Sequence, residues 1–194
     1  MLKEIENRRS IRKYLEKDVP DELLKDIIEA ARLAPSGHNV QPWKFIILRG
    51  ERKAETITAF EKGLEREKGN DKFLEGCTKE FPFATHTLRL MKAAPVIIAV
   101  LCTRGKNLGE TMSVDQHMTQ LIDMMSVGAA IENLLLEANS IGLGTLWIGA
   151  HFYAYPELKE VLKTENLIAG FINVGWPDEN PKPRPRKPFD EICG

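Results

Sequence analysis

Apolar residues recur along this 194-residue chain at two different spacings. Leu23, Leu24, Ile27, Ile28 and Ala31 fall on one face at helical intervals. Pro20-Asp21 opens that helix, because proline suits a first turn and the acids suit the N-terminal dipole, and Pro35 closes it. A shorter helix is expected from Leu2 to about Asn7. Phe45–Leu48 and Val96–Leu101 are brief, continuous apolar runs and predict buried strands. From about Asp115 to Asn139 the apolar positions spread round most of a long helix, which predicts a central core helix or a subunit interface. A strand at Thr145–Ile148, a short helix near Pro156–Leu162 and a last strand in "LIAGFINVGWP" complete the series. Helices and strands do not alternate strictly, so the pattern predicts an α+β domain rather than a doubly wound sheet.

Two stretches fit this pattern less well. Residues 51–90 begin with a polar, helix-prone run, with breaks expected at Gly63 and Gly69. "FPFATHTLRLMKAAP" then adds aromatics that look exposed. Two readings stand: a charged surface helix with a loop, or a mobile lid over a pocket. The tail, counted from Pro177, holds five of the eleven prolines and is expected to be extended, ordered only where it docks.

Composition narrows the class. A chain that is 43% hydrophobic and 28% charged suits one globular domain over residues 1–194. The net charge of −1 gives no overall reason to expect a nucleic acid or a membrane surface as partner. Asp123, Glu132 and Glu137 interrupt the longest apolar region, which argues against a membrane span, and the charged N-terminus shows no secretory segment. Cys77, Cys102 and Cys193 are scattered, without disulfide or metal-site spacing. A reduced, cytoplasmic protein without a bound metal is the expectation.

Familiar catalytic spacings are missing. "GLGTLWIG" has the wrong spacing and context for a dinucleotide fingerprint, and there is no P-loop or nucleophile elbow. His38, His86, His117 and His151 lie far apart. What remains is a set of binding elements: Arg8-Arg9-Ser10 with Arg12, the Pro35-Ser36-Gly37-His38-Asn39 loop, the strand Leu146-Trp147-Ile148-Gly149, and a basic tail with Arg184 and Arg186. Each basic cluster reads as a solvated segment or as part of one phosphate clamp, since arginine forks suit that group. Trp43 reads as core, while the Trp147 side chain reads equally as core or as site. Any chemistry here belongs to a bound cofactor rather than to a catalytic side chain.

These elements carry a resemblance. "NRRSIRKY", "AARLAPSGHNVQPWKFIIL", "AAIENLLLEANSIGLGTLWIG" and "GWPDENPKPRPRKPFDEI" resemble, in order and rough spacing, segments of the FMN-dependent nitroreductase family. The resemblance implies a mostly antiparallel central sheet surrounded by helices, in an interlocked homodimer whose C-terminal extension, residues 178–194, embraces the partner. It implies two FMN sites at the subunit interface. Arg8, Arg9, Ser10 and Arg12 would hold the phosphate, ribityl chain and pyrimidine edge, with Arg184 and Arg186 completing the phosphate clamp. Pro35, Ser36, Gly37, Asn39 and Gln41 would come from the other subunit. Leu146, Trp147, Ile148 and Gly149 would line the N5 side, and Arg89 would stand near the pyrimidine edge. The implied activity is transfer of hydride from NADH or NADPH through the flavin to a nitroaromatic, quinone or similar electron-poor small molecule, by a ping-pong mechanism. Alternatives on the same fold are a dehalogenase, a dehydrogenase, a flavin-consuming enzyme, or a non-enzymatic flavin-binding redox module.

Overall fold

A computed structural model describes residues 1–75 and 81–194, so Cys77 lies outside the described residues. Four strands form one antiparallel sheet in the order β1-β2-β4-β3, with β1 Trp43–Leu48, β2 Val96–Cys102, β3 Gly144–Ile148 and β4 Leu167–Gly175. β1 runs against β2 from Trp43 opposite Cys102 to Leu48 opposite Ile97. β4 inserts Ala169 as an extra residue beside Val100 and Leu101 of β2, a local bulge. β3 pairs with β4 from Gly144 opposite Gly175 to Ile148 opposite Phe171, which leaves β3 at the sheet edge.

All seven residues of β2 are buried. Strand side chains alternate between faces, so complete burial needs cover on both. Two helical groups supply it. One packs α1 (Lys3–Asn7) and α2 (Asp21–Arg32) on the long α5 (Val114–Ser140). The other packs α3 (Gly50–Lys68), α4 (Phe81–Ala93), α6 (Tyr155–Leu162) and a 3-10 turn at Ala150–Ala154. A reciprocal cap starts α5: Ser113 Oγ accepts the Gln116 N–H at 3.3 Å, and Gln116 Oε1 accepts the Ser113 N–H at 3.0 Å.

Two expectations need correction. Gly63 does not break the helix. A Cβ there would come within 2.3 Å of the Ala154 Cβ, so the missing side chain is what lets α3 close on the 3-10 turn. With Phe60 fully buried, α3 is part of the core rather than a surface helix or a lid; Gly69, by contrast, does terminate it. The "FPFATHTLRLMKAAP" stretch, expected as a loop or lid, supplies helix α4. The long helix is also less enclosed than its composition predicts. Val127, Ala130, Ile131 and Leu134 are buried, but Val114, Met118, Leu121, Ile122 and Met125 form an exposed apolar stripe on its first half. Among the described residues, no helix is long and apolar enough to cross a membrane.

Candidate functional site

The N-terminal arginines are placed by main-chain threading. Ile11 N–H donates to Thr145 O at 2.9 Å, Leu15 N–H to Trp176 O at 2.9 Å, and Asp178 N–H to Lys13 O at 3.0 Å. Residues 10–15 thus run along the start of β3 and the end of β4, with Ser10 bridged to Thr145. Gly144 makes this possible, since a Cβ there would lie 2.9 Å from the Ile11 side chain. Glu179 locks the segment from the tail, accepting the backbone N–H of Arg12 at 2.5 Å and of Lys13 at 3.3 Å. Tyr14 is wedged beneath, donating to Ile11 O at 2.7 Å; burial, reinforced by the Glu179 charge, pushes its phenol well above the ordinary range.

This threading brings the two basic segments together. Arg8, Arg9, Ser10, Arg12, Lys182, Arg184 and Arg186 line one cleft of about 460 Å³, with Glu6 the single acid in its wall among the described residues. Arg8 Nε pairs with Glu132 on α5 at 3.1 Å. Arg9, Arg12 and Arg186 each donate to a backbone carbonyl. Among the described residues, Arg9, Arg12, Arg184 and Arg186 make no salt bridge to a carboxylate. Clustered, uncompensated guanidinium groups repel one another, and an anion of phosphate geometry relieves that repulsion. Residues from both ends of the chain thus meet in one cleft.

The other predicted residues fall elsewhere. Leu146 and Ile148 are buried in β3, and the Trp147 ring is 46% exposed, so it is not a core side chain. Trp43, expected in the core, is half-buried against it. The loop holding Pro35, Ser36, Gly37, Asn39 and Gln41 meets α5 at Gly37, where a Cβ would lie 3.0 Å from Ile122, while Pro35, Asn39 and Gln41 are exposed. None of them lines the basic cleft of the same chain. Their loop is strained: His38, Asn39 and Gln41 all have left-handed φ values of 50°, 56° and 48°. Gln41 also precedes Pro42, which ordinarily forces an extended backbone. Such residues cost about 1–3 kcal/mol each and persist where surrounding contacts hold them. Here Ser36 Oγ accepts the Gln41 N–H at 3.0 Å, and Asn39 O accepts from Gln41 Nε2 at 3.3 Å. Arg89 stands exposed on α4, hydrogen-bonded to His86 Nδ1 at 2.9 Å, and lines neither this cleft nor the pocket below.

A second concavity, about 450 Å³, opens where β3 ends. Gly149, Ala150, Phe152, Leu74, Phe83 and Leu108 line it, with Tyr153. Behind it His151 is fully buried, its Nε2 3.0 Å from Ile168 O, so that nitrogen carries the proton. Burial pushes the His151 pKa down to about 4, against the pull of the Ile168 carbonyl. Sequence reasoning missed this pocket and the Glu179 lock. Phe, Leu and a tail carboxylate carry no spacing signal, and only the exposed look of the 81–95 aromatics hinted at it. Among the described residues, no cluster of His, Cys, Asp and Glu is arranged to hold a metal.

Comparison with known proteins identifies the family of the chain. The family model "Nitroreductase family" matches residues 5–176. A Methanothermobacter thermautotrophicus protein, provisionally named NADH dehydrogenase/NAD(P)H nitroreductase, is 30% identical over 190 residues, covering 95% of this chain and 81% of the relative. A provisionally named nitroreductase of Desulfovibrio desulfuricans, solved in complex with FMN, superposes with a TM-score of 0.72 at 28% identity, covering 98% of this chain and 93% of the other. A BluB-like flavoprotein of Clostridium difficile superposes with a TM-score of 0.71 at 29% identity, covering 99% and 96%. The chain belongs to the nitroreductase family.

Proposed function

We propose that this nitroreductase-family chain binds FMN along β3 and acts as an FMN-dependent NAD(P)H oxidoreductase, in a cytoplasmic setting and as a homodimer. The observation that carries the reading is the cleft where four arginines without carboxylate partners meet at the start of β3. Arg8, Arg9, Ser10, Arg12, Arg184 and Arg186 hold the phosphate, the ribityl chain and the pyrimidine edge. The strand then carries the ligand away from the cleft. From Thr145 to Gly149 a strand rise of about 3.3 Å per residue spans about 13 Å. This fits an extended ribityl chain leading to a flat ring beside Leu146–Gly149. Because β3 is an edge strand, its free side offers main-chain N–H groups to that ring, including the donor assigned to N5.

Bound there, FMN supplies hydride transfer, from NADH or NADPH and on to a nitroaromatic, quinone or similar electron-poor acceptor in a ping-pong cycle. The chain's own part is electrostatic and positional. Arg12, fixed by Glu179 through its backbone, places a cation at the pyrimidine edge, where negative charge builds on reduction. No side chain is assigned as acid, base or nucleophile. The exposed stripe from Val114 to Met125 and the exposed Phe189 and Ile192 of the tail support a dimer in which α5 packs on its copy and the tail wraps the partner. In that dimer the strained Pro35–Gln41 loop reaches the flavin held mainly by the other subunit.

The test is the visible spectrum of purified protein, repeated under nitrogen after adding NADH or NADPH. A flavin band that bleaches with a nicotinamide supports the oxidoreductase. No flavin band, even after reconstitution with FMN, contradicts it. The likeness to a BluB-like flavoprotein favours a second reading, a different flavin chemistry on the same site. A band that survives both nicotinamides but bleaches with dithionite points there.

A further inference from the structure

The pocket at the far end of β3 has a wall of unusual composition for a surface concavity. Phe83 is 61% exposed, Phe152 38% and Leu108 39%, and all three line this one space. Six of its seven lining residues have no polar side-chain atom, the exception being Tyr153. Its floor, Gly149 and Ala150, directly continues the strand assigned to the flavin ring.

The polar groups that hold this wall sit behind it. Glu67 is buried and accepts the backbone N–H groups of Phe73 at 2.8 Å and Leu74 at 3.4 Å, which fixes Leu74 at the rim. Arg66 pairs with Glu67, grips Glu157 through two nitrogens at 2.7 and 3.1 Å, and donates to Tyr153 O at 3.3 Å. Asn107, next to Leu108, is held by Tyr155 Oη at 3.0 Å and Lys159 Nζ at 2.8 Å. Arg66, Glu67 and Glu157 pair with one another behind the wall, and among the described residues no charged side chain lines the pocket.

We propose that this pocket takes the ring of the electron acceptor and selects uncharged, flat, apolar acceptors over anionic ones. The proposal rests on the flavin reading above. An apolar ring stacks against Phe83 and Phe152 and is removed from water. A carboxylate or sulfonate entering the same space loses hydration and finds no cation among the described residues of the wall. The selected acceptor then lies next to Gly149, at the ring end of the site and away from the arginines that would otherwise attract an anion.

The experiment uses FMN-loaded protein and two probes, nitrobenzene and 4-nitrobenzoate. Isothermal titration without nicotinamide gives binding. Turnover with NAD(P)H gives kcat/KM, each nitro-to-nitroso step consuming one NAD(P)H and one proton and releasing NAD(P)+ and water. Nitrobenzene is expected to bind roughly tenfold tighter or more, with the same preference in kcat/KM. Phe83→Arg sets a cation at the rim and is expected to cancel or invert the preference; Phe83→Leu is expected to keep it. Phe83 is exposed, so both variants should fold and retain flavin, checked by the visible band. Equal binding of the two probes by flavin-loaded protein overturns the pocket assignment alone, as does a preference that Phe83→Arg leaves unchanged. Discrimination by protein that takes up no FMN overturns the flavin reading and, with it, the acceptor role.

Discussion

The start and the end of β3 are built by opposite means. At the start, arginines from the two chain termini surround the basic cleft, held there by backbone hydrogen bonds and one carboxylate, Glu179. At the end, helices α3, α4 and α6 and the 3-10 turn build an apolar pocket, and its charges are turned inward to Arg66, Glu67 and Glu157. The basic end leaves its positive charge unmatched. Behind the apolar end, Arg66 is matched by Glu67 and Glu157, and aromatic surface is left unmatched. In the reading proposed above, the first end takes an anion and the second an uncharged ring.

The contrast can be broken most severely from behind the apolar pocket. Arg66→Met leaves Glu67 buried without its cation, and stability should fall by about 3 kcal/mol in urea unfolding. FMN-loaded variant should bind nitrobenzene more weakly while its affinity for FMN holds. At the basic end, Arg184→Ala with Arg186→Ala removes two charged donors. FMN affinity should drop about a hundredfold in fluorescence titrations of the apoprotein. Nitrobenzene binding to variant saturated with FMN should change less than about twofold; a larger loss would mean that the two ends do not act separately.

A smaller effect comes with acid. The folded pKa of His151 is about 4, below its ordinary 6.5. The unfolded chain therefore binds the proton first, and the contribution is present above pH 6.5 and lost as pH falls toward 4. Between pH 7 and 4.5 this amounts to about 2 kcal/mol, and the pH dependence should flatten in His151→Gln, read from urea midpoints at both pH values. The smallest effect sharpens the comparison by salt. Raising sodium chloride from 50 to about 500 mM should weaken FMN binding several-fold, while nitrobenzene binding stays level or tightens slightly.

The same contrast explains what could be read from the sequence. Arg8, Arg9, Arg12, Arg184 and Arg186 stand out as two clusters in the sequence, but solvated segments and a shared clamp read alike until the fold brings both to one cleft. The strands were legible because buried β2 and β4 are nearly continuous apolar runs. Phe83, Phe152 and Leu108 were not legible as a pocket, because they come from a helix, a 3-10 turn and a loop far apart in sequence, and nothing local says that they meet. Gly63 misled for a related reason: a helix break and a close helix contact both call for glycine, and only Ala154, ninety-one residues away, distinguishes them. The half-exposed α5 was legible as core or interface; its second half is core, and its first half carries the exposed apolar stripe from Val114 to Met125.

The central claim is that the basic cleft and the apolar end of β3 belong to one ligand, FMN, with its phosphate at the first and its ring toward the second. Parallel titration of the apoprotein with FMN and with riboflavin tests it most directly. The account predicts that both shift the visible flavin band in the same way, with riboflavin bound at least about a hundredfold more weakly for want of the phosphate. Equal affinities would contradict the assignment of the arginine cleft. Binding of neither, at concentrations where the protein is folded, would contradict the site as a whole.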